Sequence, residues 1–434
     1  MIVVSKFGGS SLSCATQFEK VKNIVKSSNQ RNVVVVSALG KRDKDDTKIT
    51  DLLYILGAHL KYHVGYDDIW NMFYTRFVDV KKELNLKYDI EKDLNDLKSE
   101  LTSHIQIDYL VSRGEYFTAK LISEYLGYTF VDAKDIISFN YDGRINYEVT
   151  EEKAKAAFEK YGKIIVPGFY GSFPNGHIKL LSRGGSDVTG SILAKSLNVS
   201  MYENWTDVSG VYAADPRIVS NPRSIPQITY MELRELSYMG ANVLHEETIF
   251  PVQELQIPIN IKNTNDPSNP GTIIKDKCED TTHIITGIAG KKDFVSINVL
   301  KDHMSNEIGF LRKVLSIFEK YNVSIEHLPS GIDTISIVCS KDNIEKYLYE
   351  IVSDIKRELQ AEVTFDDDLA LLAVVGRNMA GKIGLCAKLF TILGDANINL
   401  KILAQGPSEL NIIVGVSEKD YNKAIKEVYA KLIA

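Results

Sequence analysis

The sequence predicts an α/β protein in two parts: a region built on a mostly parallel sheet sandwiched by helices, then two copies of a smaller α/β module. Three observations carry this. β-branched runs alternate with helical patterns from residue 2 onward, glycine-rich strings fall where strands give way to helices, and the C-terminal part repeats itself. With roughly 150 residues per domain, a chain of 434 residues is expected to hold two or three.

Ile2–Phe7 and Asn32–Ala38 flank a helical pattern at Thr16, Val21, Ile24 and Val25, which reads as a βαβ unit. Strands this continuously apolar imply a parallel sheet covered on both faces. Residues 52–105 read as a helical insertion, in which Ile69, Phe73, Phe77, Val80 and Leu84 form a packing face. Lys163–Phe169 is a further strand, and a helix is expected from Ser186 to about Leu197. Ile257–Thr272 reads as a last strand and a turn-rich exit, so one boundary is expected near 280, separating 1–280 from 281–434.

In the second region, the stretch from Met304 matches the stretch from Met379 without a gap. Met304/Met379, Ile308/Ile383, Gly309/Gly384, Lys313/Lys388, Ile317/Ile392 and Asn322/Asn397 are identical. Each copy reads as strand, glycine-started helix, Asn turn, strand, strand, helix, at about 293–365 and 368–434.

Composition excludes several functions. The chain is 44% hydrophobic and 25% charged with a net charge of −6, which suits a globular protein and opposes a general nucleic-acid binder. Cys14, Cys278, Cys339 and Cys386 are scattered, so neither a zinc site nor a disulfide framework is indicated. The N-terminal residues lack a signal-peptide pattern and no run of about 20 apolar residues appears, so a cytoplasmic, non-membrane protein is expected.

Four strings carry chemistry. Lys6–Ser11 (KFGGSS) lies where a strand meets a helix; its glycines let amides approach an anion, and Lys6 supplies charge, although a tight turn with a solvated lysine also fits. Ser182–Asp187 (SRGGSD) offers Arg183 for a carboxylate and Asp187 for a lysine or metal, or else an N-cap at Ser186 or Asp187. Glu115 in SRGE suits an ammonium group or, at a helix start, the helix dipole. Trp205–Val219 suits a purine and ribose, or a well-capped loop. The common nucleotide-triphosphate and protein-kinase signatures are absent.

Taken in order, KFGGSS, VVVVSALG with ITDLL, SRGE, PGFYGS, SRGGSD, TDVSGVYAADPR, GA-x-VLH and the doubled module resemble the aspartate kinases of the amino-acid-kinase superfamily, over essentially the whole chain. The doubled module resembles the amino-acid-binding βαββαβ ACT domain. The resemblance implies an amino-acid-kinase fold followed by two ACT domains, and in-line transfer of the γ-phosphoryl of Mg2+-ATP to the β-carboxylate of L-aspartate. That product opens lysine, threonine and methionine biosynthesis. A carboxylate is already nucleophilic at neutral pH, so positioning and charge neutralisation suffice.

The resemblance implies that Lys6 faces the transferring group, Asp187 orients it, and Gly8 and Gly9 supply amide donors. Aspartate would be held by Ser37, Thr50, Glu115 at its α-ammonium and Arg183 at a carboxylate, with Phe169, Gly184, Gly185 and Ser186 completing the pocket. ATP would touch Lys6, Gly8, Gly9, Ser10, Thr206, Asp207, Tyr212, Arg217, Asn242 and Val243. No protein metal site is implied. Lysine, alone or with threonine, would inhibit through Met304, Glu307, Gly309, Phe310, Leu311, Ser324, Ile325 and Glu326, with Ser330–Asp333 nearby, in a homodimer or tetramer joined through the ACT domains.

Three departures from the family stand out: a charged loop in which Thr47 competes with Thr50, Asn242 where lysine is usual, and Glu246 where proline is usual. A related carboxylate or nucleotide kinase, or a non-catalytic sensor of the same fold, are the competing readings. A fused homoserine dehydrogenase is not expected.

Overall fold

The computed structural model describes residues 1–182, 184–241, 244, 246–279 and 282–434. It contains two compact units: 1–211, 226–230 and 243–278 form the first, and 212–225, 231–242 and 279–434 the second. The single boundary expected near 280 is therefore the last of several crossings. The two early excursions belong to the second unit through contacts far away in sequence. The Ile288 amide donates to the Ala213 carbonyl (2.8 Å), and Arg377 pairs with Glu232 (3.0 Å).

The first unit is organised by an eight-stranded sheet. Its order is Gln227–Thr229, Thr272–Lys275, Ile259–Asn263, Met201–Thr206, β1 (Val3–Phe7), β2 (Arg31–Val36), β4 (Ile164–Pro167) and β3 (Thr129–Phe130). β1 is central, parallel to both neighbours, with Phe7 level with Val36 on one side and Trp205 on the other; Val36 is level with Pro167. Four strands thus end along one edge, where open parallel sheets bind ligands. Val33–Val36 are wholly buried, as a strand covered on both faces requires. Beyond the expected last strand, the turn-rich segment reverses the chain, so Thr272–Lys275 adds an antiparallel strand to Ile259–Asn263.

Helix α1 (Ala15–Lys26) buries Phe18, Val21, Ile24 and Val25 against the sheet. The insertion is three helices, α2 (Ile49–Lys61), α3 (Asp67–Glu83) and α4 (Ile90–Glu100), followed by the long α5 (Ile107–Leu126). Phe73, Phe77 and Val80 of α3 are buried as expected, and the Phe77 ring meets those of Phe73 and Phe117 at 5.1 and 5.7 Å. The same helix also buries Arg76, which a packing face alone does not explain.

The second unit contains a five-stranded antiparallel sheet ordered Thr334–Ser340, Gly287–Leu300, Glu362–Val375, Asn411–Val416 and Ile402–Gln405. Both sequence copies are present. Their helices Phe310–Lys320 and Leu385–Asp395 open at Gly309 (φ 80°) and Gly384 (φ 83°), and Asn322 and Asn397 turn the chain at φ 55° and 53°. These left-handed positions explain two of the six identities, Gly309/Gly384 and Asn322/Asn397.

The copies are nested rather than consecutive. Phe294–Leu300 pairs with Glu362–Leu369, whereas Gly287–Lys291, which precedes the first copy, pairs with Leu371–Val375 of the second. The first copy's strand after Asn322 is reduced to isolated bridges at His327 and Ser330.

Phe77→Ala is expected to destabilise the first unit by about 3–5 kcal/mol. The chain's two tryptophans, Trp70 and Trp205, both lie in that unit, so their fluorescence in a urea series reads it. An unchanged midpoint would show that the ring cluster does not hold the insertion.

Candidate active site

At the end of β1, Lys6 is 8% exposed and forms an ion pair with Asp187 Oδ1. Asp187 lies in the first turn of the helix Gly185–Ser196, which Gly184 opens at φ 75°. Neither Ser186 nor Asp187 caps it, so the carboxylate is left for Lys6. Asn204 Nδ2 donates to the same Oδ1 (3.0 Å), and the Tyr202 hydroxyl donates to the Asp187 carbonyl (3.0 Å).

Lys6 and Asp187 open onto a cleft of about 860 Å3 that also receives Ser37, Thr50, Glu115, Phe169, Gly184, Gly185 and Ser186. The structure thereby gathers most of the expected substrate residues in one place. Thr50 lines the cleft and Thr47 does not; the Thr47 amide instead donates to Asp46 Oδ1 (3.0 Å). Phe169 is held at φ 78°, with its amide donating to Thr189 Oγ1 (3.0 Å), a strained conformation of the kind that collects at binding sites. Lys48, Asp51 and Tyr54 also line the cleft and were missed. The signal for Tyr54 was available, since it follows Thr50 by four residues on one face of α2.

Glu115 is not at a helix start. It lies in the middle of α5, far from the first turn, so the dipole reading fails. Burial pushes its carboxyl up to about 8, with the Ala38 amide and Arg113 pulling the other way. Its Oε2 is buried with no hydrogen-bond partner among the described residues. Arg113 stacks against the rings of Tyr109 and Tyr116, at 4.5 and 4.2 Å from their centroids.

Other expected residues are placed differently. The Gly8 amide donates to the Trp205 carbonyl (3.0 Å), so it is consumed by the sheet, whereas Gly9 and Ser10 open a 3-10 turn, Gly9–Leu12. Thr206 Oγ1 donates to Asp207 Oδ1 (3.1 Å) at the end of its strand. Tyr212 and Arg217 belong to the second unit, where Arg217 pairs with Asp215 (2.7 Å). Arg183, Asn242 and Val243 lie outside the described residues.

In the second unit, Met304 and Phe310 pack inside the first copy's core. Glu307 is paired with Lys301 and with Lys313 (2.7 Å), whose hydrogen bonds hold its carboxyl below the usual range. Glu326 accepts from the Tyr238 hydroxyl, and Leu311 is exposed. Among the described residues no cluster of three or more His, Cys, Asp or Glu could hold a metal ion, and no helix is long and apolar enough to cross a membrane.

A parallel sheet with a lysine–aspartate pair at its carboxyl edge, and a buried acid with one oxygen free of partners among the described residues, is the kind of site that binds a small charged molecule. The model of the Amino acid kinase family matches residues 1–263, and that of the ACT domain matches 372–432. The chain is 37% identical to Aspartokinase 3 of Bacillus subtilis over 447 residues, covering 99% of this chain and 98% of that protein. The crystal structure of Clostridium acetobutylicum aspartate kinase superposes with a TM-score of 0.91 at 45% identity, covering 99% of both chains. E. coli aspartokinase III in complex with lysine and aspartate superposes at 0.79 with 25% identity, covering 100% of both. The chain belongs to the aspartokinases, ATP-dependent kinases that phosphorylate aspartate.

Glu115 makes stability depend on pH with a definite sign. Its folded value of about 8 lies above the ordinary 4.5, so between them the folded state holds a proton that the unfolded state has lost. Its contribution is therefore most favourable at low pH and declines as pH rises toward 8. In ligand-free protein, the melting temperature of Glu115→Gln relative to the parent is expected to climb between pH 5 and pH ~8.5. A pH-independent difference would contradict a buried neutral acid.

Proposed function

We propose that this cleft carries out in-line transfer of the γ-phosphoryl of Mg-ATP to the β-carboxylate of L-aspartate, giving 4-phospho-L-aspartate and ADP. The observation that carries the proposal is the convergence on one cleft of the Lys6–Asp187 pair, Ser37, Thr50 and Glu115, whose Oε2 has no partner among the described residues. Lys6, largely withdrawn from water, neutralises charge on the moving phosphoryl group, and Asp187 fixes the direction of its ammonium. Glu115 receives the substrate ammonium, which restores its ionised form, and Arg183 receives a carboxylate. No general base is needed, because the attacking carboxylate is ionised already. Mg2+ would be held mainly by the nucleotide phosphates and water and would supply charge neutralisation there, since it dehydrates reluctantly.

With Mg-ATP and aspartate, hydroxylamine should trap an acyl hydroxamate, and Lys6→Ala should lower its formation by roughly 10²–10³-fold without unfolding the protein. Absence of hydroxamate with folded parent enzyme would sink the assignment. Aspartate binding at pH ~7 should release nearly one proton, read by calorimetry in buffers of different ionisation enthalpy, if an ammonium ionises Glu115. Buffer-independent heats would remove Glu115 from that role.

We further propose feedback inhibition by lysine, alone or with threonine, in a homodimer or tetramer assembled through the ACT modules; the ACT-domain match over 372–432 and the likeness to E. coli aspartokinase III in complex with lysine and aspartate support this reading. If lysine favours a state that binds aspartate poorly, it binds that state more tightly, and aspartate must in turn weaken lysine binding. Titration with lysine, threonine and methionine should show lysine lowering the rate. Indifference to all three would end the sensing reading while leaving the kinase reading intact.

A further inference from the structure

The loop between β2 and α2 spans residues 37–48 and joins Ser37 to Lys48 and Thr50, all of which line the cleft. Charged and rich in aspartate, it has little apolar content with which to hold itself in place. Its anchor comes from the helical insertion. Arg76 of α3 is 3% exposed, and its Nη1 pairs with Asp46 Oδ2 at 2.7 Å. The same guanidinium donates to the Gly40 carbonyl and, at 3.4 Å, to the Thr47 carbonyl. Asp46 is held in turn by the Arg42 amide (2.9 Å) and Arg42 Nε (3.2 Å).

The contact at Gly40 reaches the phosphate side. A Cβ at Gly40 would lie 2.1 Å from the Gly9 carbonyl oxygen, so the loop backbone rests directly on the glycine turn that follows Lys6. One planar guanidinium thereby ties both ends of the loop to a rigid helix, and lysine could not reproduce its fork of donors.

We propose that Arg76 is a positioning residue for the kinase reaction, fixing the loop that begins at Ser37 and leads into the helix bearing Thr50, and seating Gly40 against Gly9. It acts through Gly40, Asp46 and Thr47. The proposal rests on the phosphoryl-transfer reading of the cleft: a folded parent enzyme without turnover fails that reading, whereas the variants below test only Arg76.

A buried pair kept merely for stability makes a different forecast, because replacing both charges by apolar groups is often neutral or stabilising. The experiment compares Arg76→Met, Arg76→Lys, Asp46→Asn and the double variant Arg76→Met/Asp46→Leu by steady-state kinetics and thermal unfolding. Arg76→Met should raise KM for aspartate and lower kcat, with kcat/KM falling about tenfold to a hundredfold. Arg76→Lys should recover only part of this, and Asp46→Asn should raise KM for aspartate in the same direction. The double variant should regain melting temperature but not aspartate kinetics, since the bonds to Gly40 and Thr47 remain lost. Should a variant lacking Arg76 fail to fold, Asp46→Asn decides alone. Aspartate kinetics returning with stability in the double variant, or an unchanged KM for aspartate in Asp46→Asn, would overturn the proposal.

Discussion

The first unit depends on keeping a lysine ammonium almost out of water at the end of its central strand. An isolated buried charge is prohibitively costly, so Lys6 requires the Asp187 carboxylate, and that carboxylate requires a fixed helix start. The strands around it are locked together to hold this geometry. Glu203 accepts from Arg31 Nε (2.7 Å) and Nη2 (2.9 Å), from Ser5 Oγ (2.9 Å) and from Trp205 Nε1 (2.9 Å). Those donors come from β1, β2 and Met201–Thr206, the three strands on which Lys6 and its neighbours stand. The Gly8 amide, spent on Trp205, is part of the same lock.

Two buried glutamates in one unit show how environment separates structure from function. Burial alone would raise both. In Glu203 the Arg31 fork and two further donors overcome burial and hold the carboxyl below its usual range. In Glu115 burial prevails and one oxygen is left without a partner among the described residues. A satisfied buried acid cross-links strands; one left with a free oxygen beside an open cleft is a candidate binding group.

The sequence made the local features legible and the long-range ones much less so. Continuous apolar strands, the α1 face and the glycine-rich junctions follow from residue type and spacing, and the structure contains them. Glu115 was misplaced because Gly114 resembles a helix boundary. Its real reason is close packing, since a Cβ there would lie 2.9 Å from Ile49 and 3.0 Å from Ala38 side chains. Arg76 sits beside an aromatic helical face and nothing in its spacing singles it out, because its partners Gly40, Asp46 and Thr47 are some thirty residues away. Periodicity reports which side of a helix is buried but not what lies against it. The same limit hid the excursions 212–225 and 231–242, whose partners are likewise distant in sequence.

The nesting of the two regulatory copies changes what a signal there can be. Gly287–Leu300 and Glu362–Val375 are single strands of 14 residues, each contributing one half to either copy. Neither copy has a complete sheet of its own, so they cannot separate or rotate as beads on a linker would. An amino acid that favours one arrangement of either copy must bias strands common to both, and close-packed strands respond as a block rather than by gradual deformation. The gapless duplication in the sequence therefore marks two repeats built on shared strands rather than two separate modules.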